Sequence, residues 1–386
     1  RVYGGADGAL LFALHGEDGS HGYDGVVAPA GDLDGDGWPD LAASSVTGVP
    51  VGGQVRGISG RTGEVLFVQR ASSFQGLLGR SLVPLGDRDG DGRDELFAGE
   101  PRAFDEDHVL VLEQDAVAPA LHEWQGVPDD RLGAALATGG DLDGDGVGDW
   151  CFGAPGSVDP DTDQISGAIV VHSGADGARL QTWRPSPADV AAGLIYGERI
   201  ALTADVDADG VPDVVVSAPA FGGSGLVRWL SGADGSTIHE TLGPFPGSEL
   251  GRALARAGDV DGDGLEDVLV GSSGGGFKAR VLSGADGSPV LSLAGASVEG
   301  CVAGLGDVNA DGVPDLAVSS GNNSVDVFSG LDGGSLFTVF GGLSDSLGQS
   351  GLVGPGDLDG DGRADLVAGA PGQSVGSSPN PHGRVR

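Results

Sequence analysis

Seven short runs of alternating carboxylates recur along the 386 residues, the first reading Asp32-Leu-Asp34-Gly-Asp36-Gly-Trp38-Pro-Asp40. The others open at Asp87, Asp141, Asp205, Asp259, Asp307 and Asp357, so successive starts lie 55, 54, 64, 54, 48 and 50 residues apart. A hard cation such as calcium takes about six to eight oxygens, and a short turn supplies them only when alternate residues point inward. Positions 1, 3, 5 and 9 meet that need. They are Asp32, Asp34, Asp36 and Asp40 in the first loop, then Asp87, Asp89, Asp91 and Glu95 in the second. The third has Asp141, Asp143, Asp145 and Asp149, the fourth Asp205, Asp207, Asp209 and Asp213, and the fifth Asp259, Asp261, Asp263 and Asp267. The sixth has Asp307, Asn309, Asp311 and Asp315, and the seventh Asp357, Asp359, Asp361 and Asp365. Position 7 is unconstrained (Trp38, Arg93, Val147, Val211, Leu265, Val313, Arg363), as suits a residue that contributes only its backbone carbonyl. Glycines at positions 4 and 6, as in Gly35 and Gly37, permit backbone angles that a side chain resists.

These ligand positions hold 27 of the 57 acidic residues. Four carboxylates within nine residues repel one another unless a cation is present, so about seven calcium sites are expected. An EF-hand needs an acid at position 12. Here that position holds Ala43, Ala98, Phe152, Val216, Val270, Val318 and Ala368, which points to strand-loop-strand sites.

The flanks of the loops define the elements that carry them. An aliphatic or aromatic residue followed by Gly comes before five of the loops, at Leu78-Gly79, Leu132-Gly133, Tyr196-Gly197, Leu250-Gly251 and Leu347-Gly348. An apolar run follows, as in Val214-Val-Val and Val268-Leu-Val, and often closes on Gly-Ala-Pro or a near variant. A third strand then enters a Ser-Gly-x-Asp-Gly turn, at Ser173, Ser231, Ser283 and Ser329, and the Gly-bracketed pair there signals a hairpin. Each unit is therefore a four-stranded antiparallel blade, and the chain an all-β, seven-bladed propeller spanning 1–386 as one domain.

With these motifs the chain resembles the FG-GAP repeats of the integrin alpha-subunit propeller and its bacterial relatives, over essentially its whole length. It departs from that pattern at Asp24-Gly25 and Glu299-Gly300, where the aromatic-Gly pair is lost, and in carrying the cation loop in all seven blades.

The ends complete each other. A Gly4-Gly-Ala-Asp-Gly8 turn stands at the start, whereas the last blade breaks off at Gly383-Arg-Val-Arg386. Residues 1–15 are therefore expected to complete the blade of 349–386, within one molecule or, alternatively, in a neighbour, which would build a head-to-tail chain.

Composition limits the function. The net charge of −37 disfavours nucleic acid, and no apolar run is long enough for a membrane-spanning helix. The chain opens at Arg1 and lacks Met, as a processed product would. Cys151 and Cys301 fall in well-separated blades, so two buried free thiols are expected. Cation loops can staple a fold in place of disulfides, which fits a secreted or cell-surface protein. The His residues show no metal spacing.

A binding role remains, either adhesion to a protein or glycan or service in an extracellular filament or matrix. A polysaccharide-active enzyme is the third and lesser alternative. The ligand is expected on the face opposite the cation loops, where the irregular insertions gather Phe74, Phe104, Trp124, Trp183, Tyr196, Phe221 and Phe245. Trp183, Arg184 and Trp124 are the favoured contacts there, and Tyr196 is read as structural.

Overall fold

The computed structural model describes residues 1–14, 25–45, 53–71, 76–101, 108–112, 123–273, 277–295, 300–342 and 345–371. They form seven four-stranded sheets of antiparallel strands. In the first blade the strands are Val27–Gly31, Asp40–Ser45, Gln54–Ile58 and Val65–Arg70, adjacent in chain order. Each innermost strand packs on that of the next blade: Val27–Gly31, Leu82–Gly86, Ala135–Gly140, Arg199–Leu202, Leu254–Gly258, Val302–Gly306 and Leu352–Val353. The last returns to the first, which closes the ring. The inner strands enclose an axial cavity of about 680 Å³.

Closure is intramolecular. The seventh sheet runs Leu352–Val353, Leu366–Ala368, Val2–Tyr3 and Leu10–Phe12, with Val2 opposite both Val367 and Phe12. The segment near Gly383 lies outside the described residues, and the third strand of this blade comes from the start of the chain.

Strand periodicity decides where the core sits. Successive side chains of a strand point to opposite faces, and both faces of each blade are covered by neighbours. In Val214–Ala218, Val214 and Val216 pack with Leu194 and Tyr196 against the third blade's Ile169 and Trp183. Val215 faces the other way and joins Trp229, Leu250 and Val268 of the fourth and fifth blades. The apolar interior thus divides into seven wedges, each shared by two adjacent blades. The wedge across the seam joins Val2, Leu358 and Val367 to Leu41, Ala43 and Ile58.

The Gly that precedes each inner strand serves these wedges. Gly79 has φ +87°, and a Cβ there would stand 2.3 Å from Ser44 Cβ of the preceding blade. Its carbonyl accepts a hydrogen bond from Ser44 Oγ at 2.7 Å, and Gly251 repeats the arrangement with Ser217 at 2.7 Å. Where the pair is intact, Leu78, Leu132, Tyr196, Leu250 and Leu347 are all buried.

Candidate metal centres

Each loop joins the first and second strands of its blade, so all seven crowd one face of the ring. Backbone N–H groups of the turn hold the first carboxylate inward. Asp32 Oδ1 accepts from Gly35 N at 2.8 Å and Oδ2 from Gly37 N at 2.8 Å, and Asp141 and Asp357 repeat both bonds. The N–H of position 7 donates to the carboxylate of position 5 throughout, as Trp38 does to Asp36 at 2.9 Å. Carboxylate oxygens are thereby gathered within 4.8 Å of one another at Asp87, Asp89, Asp91 and Glu95, at Asp141, Asp143 and Asp149, and at Asp205, Asp207 and Asp213. Asp32, Asp34 and Asp36 converge likewise, as do Asp259, Asp261 and Asp263. An all-oxygen, multiply anionic donor set of this size suits a hard divalent cation.

Position 9 has a second task that the loop spelling does not reveal. Asp40 is fully buried; its Oδ2 accepts from Leu33 N at 2.8 Å and its Oδ1 from Gly60 N, in the outer hairpin turn, at 2.9 Å. The same pair of bonds recurs at Asp149 with Leu142 and Gly174, at Asp213 with Val206 and Gly232, and at Asp267 with Val260 and Gly284. It recurs again at Asp315 with Val308 and Gly330, and at Asp365 with Leu358 and Gly5. Position 9 therefore welds the cation loop to the blade's outer strand pair, and in the seventh blade the weld crosses the seam to Gly5. Desolvation of these carboxyls outweighs the backbone donors and pushes Asp40 and Asp365 up to about 6.

Two loops depart from glycine at position 4. Ala208 and Ala310 stand there with φ of 61° and 64°, in a region that costs an alanine roughly 1–2 kcal/mol. No heavy atom lies within 4 Å of the Cβ position at the equivalent Gly90, Gly144 and Gly262, so space is available and only the backbone is strained. In the sixth loop Asn309 Nδ2 donates to Asp311 Oδ2 at 2.9 Å, so an amide quenches part of the acidity found in the other loops.

Neighbouring loops also touch. Asp94, at position 8 of the second loop, accepts from Asp32 N at 2.8 Å, and its own N–H donates to Asp32 O at 2.8 Å. Arg363 Nη1 donates to Val308 O of the sixth loop at 2.9 Å. Trp38 lies against Gly360 of the seventh loop.

Trp183, Arg184 and Trp124, expected as ligand contacts on the opposite face, are engaged within the ring. Trp183 is 4% exposed and belongs to the outer strand Arg179–Trp183, its indole lying against Gly235 in the next blade's hairpin turn. Trp124 does the same one blade earlier, donating Nε1–H to Gly177 O at 2.8 Å and meeting Phe97, Trp150 and Phe152 edge-on at 5.1–5.6 Å. Arg184 donates to Ser157 Oγ at 2.9 Å and tethers the 156–166 insertion. These residues lock blades together, for outer strands need cover as inner ones do. Tyr196 is buried, and its hydroxyl accepts from Arg228 Nη1 at 3.1 Å. Of the remaining aromatics, Phe221 is partly buried, Phe245 is exposed, and Phe74 and Phe104 lie outside the described residues. Cys151 is buried, whereas Cys301 is only partly so and lines the axial cavity.

The repeat can now be matched to known proteins. The FG-GAP-like repeat family matches residues 202–270, and the FG-GAP repeat family matches residues 352–385. Integrin alpha pat-2 of Caenorhabditis elegans is 30% identical over 243 residues, 55% of this chain and 19% of that protein. The chain is an integrin alpha-like FG-GAP propeller. Rat integrin alpha-7 is 29% identical over 186 residues (46% of this chain, 16% of that protein), and Xenopus laevis integrin alpha-4 is 30% identical over 151 residues (36% and 14%). The chain thus covers less than a fifth of the length of these relatives, and what they do as whole proteins is not carried over with the match.

Proposed function

We propose that this propeller is a calcium-stabilised binding module that acts in adhesion outside the cell or at its surface. The supporting observation is the sevenfold loop, whose carboxylates converge on one face and whose position-9 residue links each site to its blade. About seven calcium ions are held by the side chains of positions 1, 3, 5 and 9 and by the carbonyl of position 7, from Trp38 in the first loop to Arg363 in the seventh. The cations neutralise mutually repelling carboxylates and fix the blade ends, which leaves the opposite face to engage a partner. Completion of the last blade by its own N-terminal strands favours this role over filament assembly by strand exchange.

Calcium at ten times its dissociation constant adds about 1.4 kcal/mol per site, hence on the order of 10 kcal/mol for seven. That is comparable to the stability of a domain. Excess chelator should lower the melting temperature steeply, and metal analysis of the purified chain should return about seven calcium ions. A melt that chelator leaves in place overturns the calcium reading. Surface display followed by masking of one face at a time tests the binding reading, which fails if no partner is captured through the face away from the loops.

A further inference from the structure

Three arginines from three blades line the axial cavity: Arg80, Arg199 and Arg252. Each stands at the entry to its inner strand, on the face away from the cation loops, and each is exposed. Arg80 and Arg252 directly follow the bracketing Gly79 and Gly251. The chain has 20 Lys and Arg against 57 Asp and Glu, yet the described residues that line this cavity include three arginines and no Asp or Glu. Arg252 is oriented by Glu249, whose Oε2 accepts at 2.8 Å, and Arg199 Nη1 donates to Glu198 O at 2.9 Å. Burial raises the Cys301 thiol in the sixth blade, and the charges of Arg199 and Arg80 oppose that rise. Blades two, four and six therefore share one electrostatic environment at the axis. A guanidinium carries five N–H donors in a planar fork matched to a carboxylate.

We propose that this cavity receives a carboxylate side chain from an acidic peptide segment of a protein partner, inserted along the axis and clasped by Arg80, Arg199 and Arg252. The inference rests on the reading that the face away from the cation loops is the binding face. A pit suits a short inserted segment. A polyanionic polysaccharide would need a basic track, and the cluster sits instead in a chain of net charge −37.

The test uses the full chain with calcium present, titrated calorimetrically with a blocked Gly-Glu repeat peptide, its Gly-Gln counterpart and an oligouronate. The Glu peptide should saturate, with the Gln peptide at least about tenfold weaker, a difference of ~1.4 kcal/mol. R80A/R199A, checked by its melt, should lose at least about tenfold in affinity for the Glu peptide, and R80K/R199K should recover part of it. Should the double alanine variant fail to fold, R252A serves in its place with the same expected direction. No saturable binding of the Glu peptide below about 1 mM overturns the inference. So do equal affinities of the two peptides, a double variant that binds as wild type does, or tighter binding of the oligouronate. A partner captured by surface display that still binds R80A/R199A undiminished sinks the axial site and leaves the binding module standing. Absence of any partner on that face sinks the module itself.

Discussion

The strain at Ala208 and Ala310 can be relieved by one atom group each. Replacing either with Gly removes roughly 1–2 kcal/mol of left-handed strain and gives back ~0.5–1 kcal/mol in chain entropy, so a net gain near 0.5–1 kcal/mol is expected. Denaturant titration with each variant measures it, and a loss of stability would contradict the strain argument. Position 9 can be separated from the other ligands in the same way. D149N should weaken the fold even in chelator, by about 1–3 kcal/mol, because a buried N–H loses its acceptor. D145N should lower calcium affinity and leave the chelated protein as stable as wild type. The buried His172 and the partly buried His239 both have pKa values lowered first by desolvation. A depressed histidine stabilises the fold fully above its unfolded value near 6.5, and that contribution falls away as the pH drops toward the lower folded value. The histidine contribution to stability should therefore decline on acidification below about pH 6.5, and that part of the pH dependence should vanish in H172Q/H239Q, whereas the raised position-9 carboxyls act in the opposite direction. The ligand carboxylates were legible in the sequence because side-chain spacing within nine residues is local. The second role of position 9 was not, since its partner lies in a hairpin turn far along the chain, at Gly174 for Asp149 and at Gly5 for Asp365.

Among the elements, the insertion after Trp183 shows how an apparent recognition loop is tied down. Ser186 caps a short helix, Pro187–Ala191, and Asp189 on it pairs with Arg228 Nη1 at 3.0 Å, while Arg228 Nη2 reaches Glu240 at 2.6 Å. Arg228 is 6% exposed, so R228A leaves carboxylates facing a buried gap, and a loss of about 3 kcal/mol is expected. A loss below ~1 kcal/mol would mean that the insertion is held by Val190 and Leu194 alone. The sequence placed Trp183 and Trp124 in this exposed class because irregular flanks hide an outer strand. A usable signal was present: each indole meets the hairpin turn one repeat further on, as Trp124 meets Gly177. The sixth loop also differs as an element. With Asn309 bonded to Asp311, it should release calcium before the others during graded chelation, and N309D should reverse that order.

At the scale of the molecule, the seam is the test of closure. Deleting residues 1–14 removes two strands of the seventh blade, the Gly5 weld to Asp365 and parts of two wedges. The loss should exceed by far that of trimming an ordinary terminus, and the cooperative melt should broaden or vanish; an unchanged melt would show that the ring does not depend on its seam. Ring closure was legible because the Ser-Gly-x-Asp-Gly turns count to seven only when Gly4–Gly8 is included. The axial arginines were not, because residues of blades two, four and five meet only after the ring has formed. One consequence follows from cores that lie between blades. The repeat is periodic along the chain, but its units are not interchangeable parts. The wedge between blades two and three is filled by Phe97, Trp124, Trp150 and Phe152, whereas the described residues of the wedge between five and six are Leu269, Val281, Val302 and Val318 with other aliphatics and Phe328. A blade transplanted from the third place to the sixth would carry half of an aromatic joint to an aliphatic neighbour, so each blade is specified by its address in the ring.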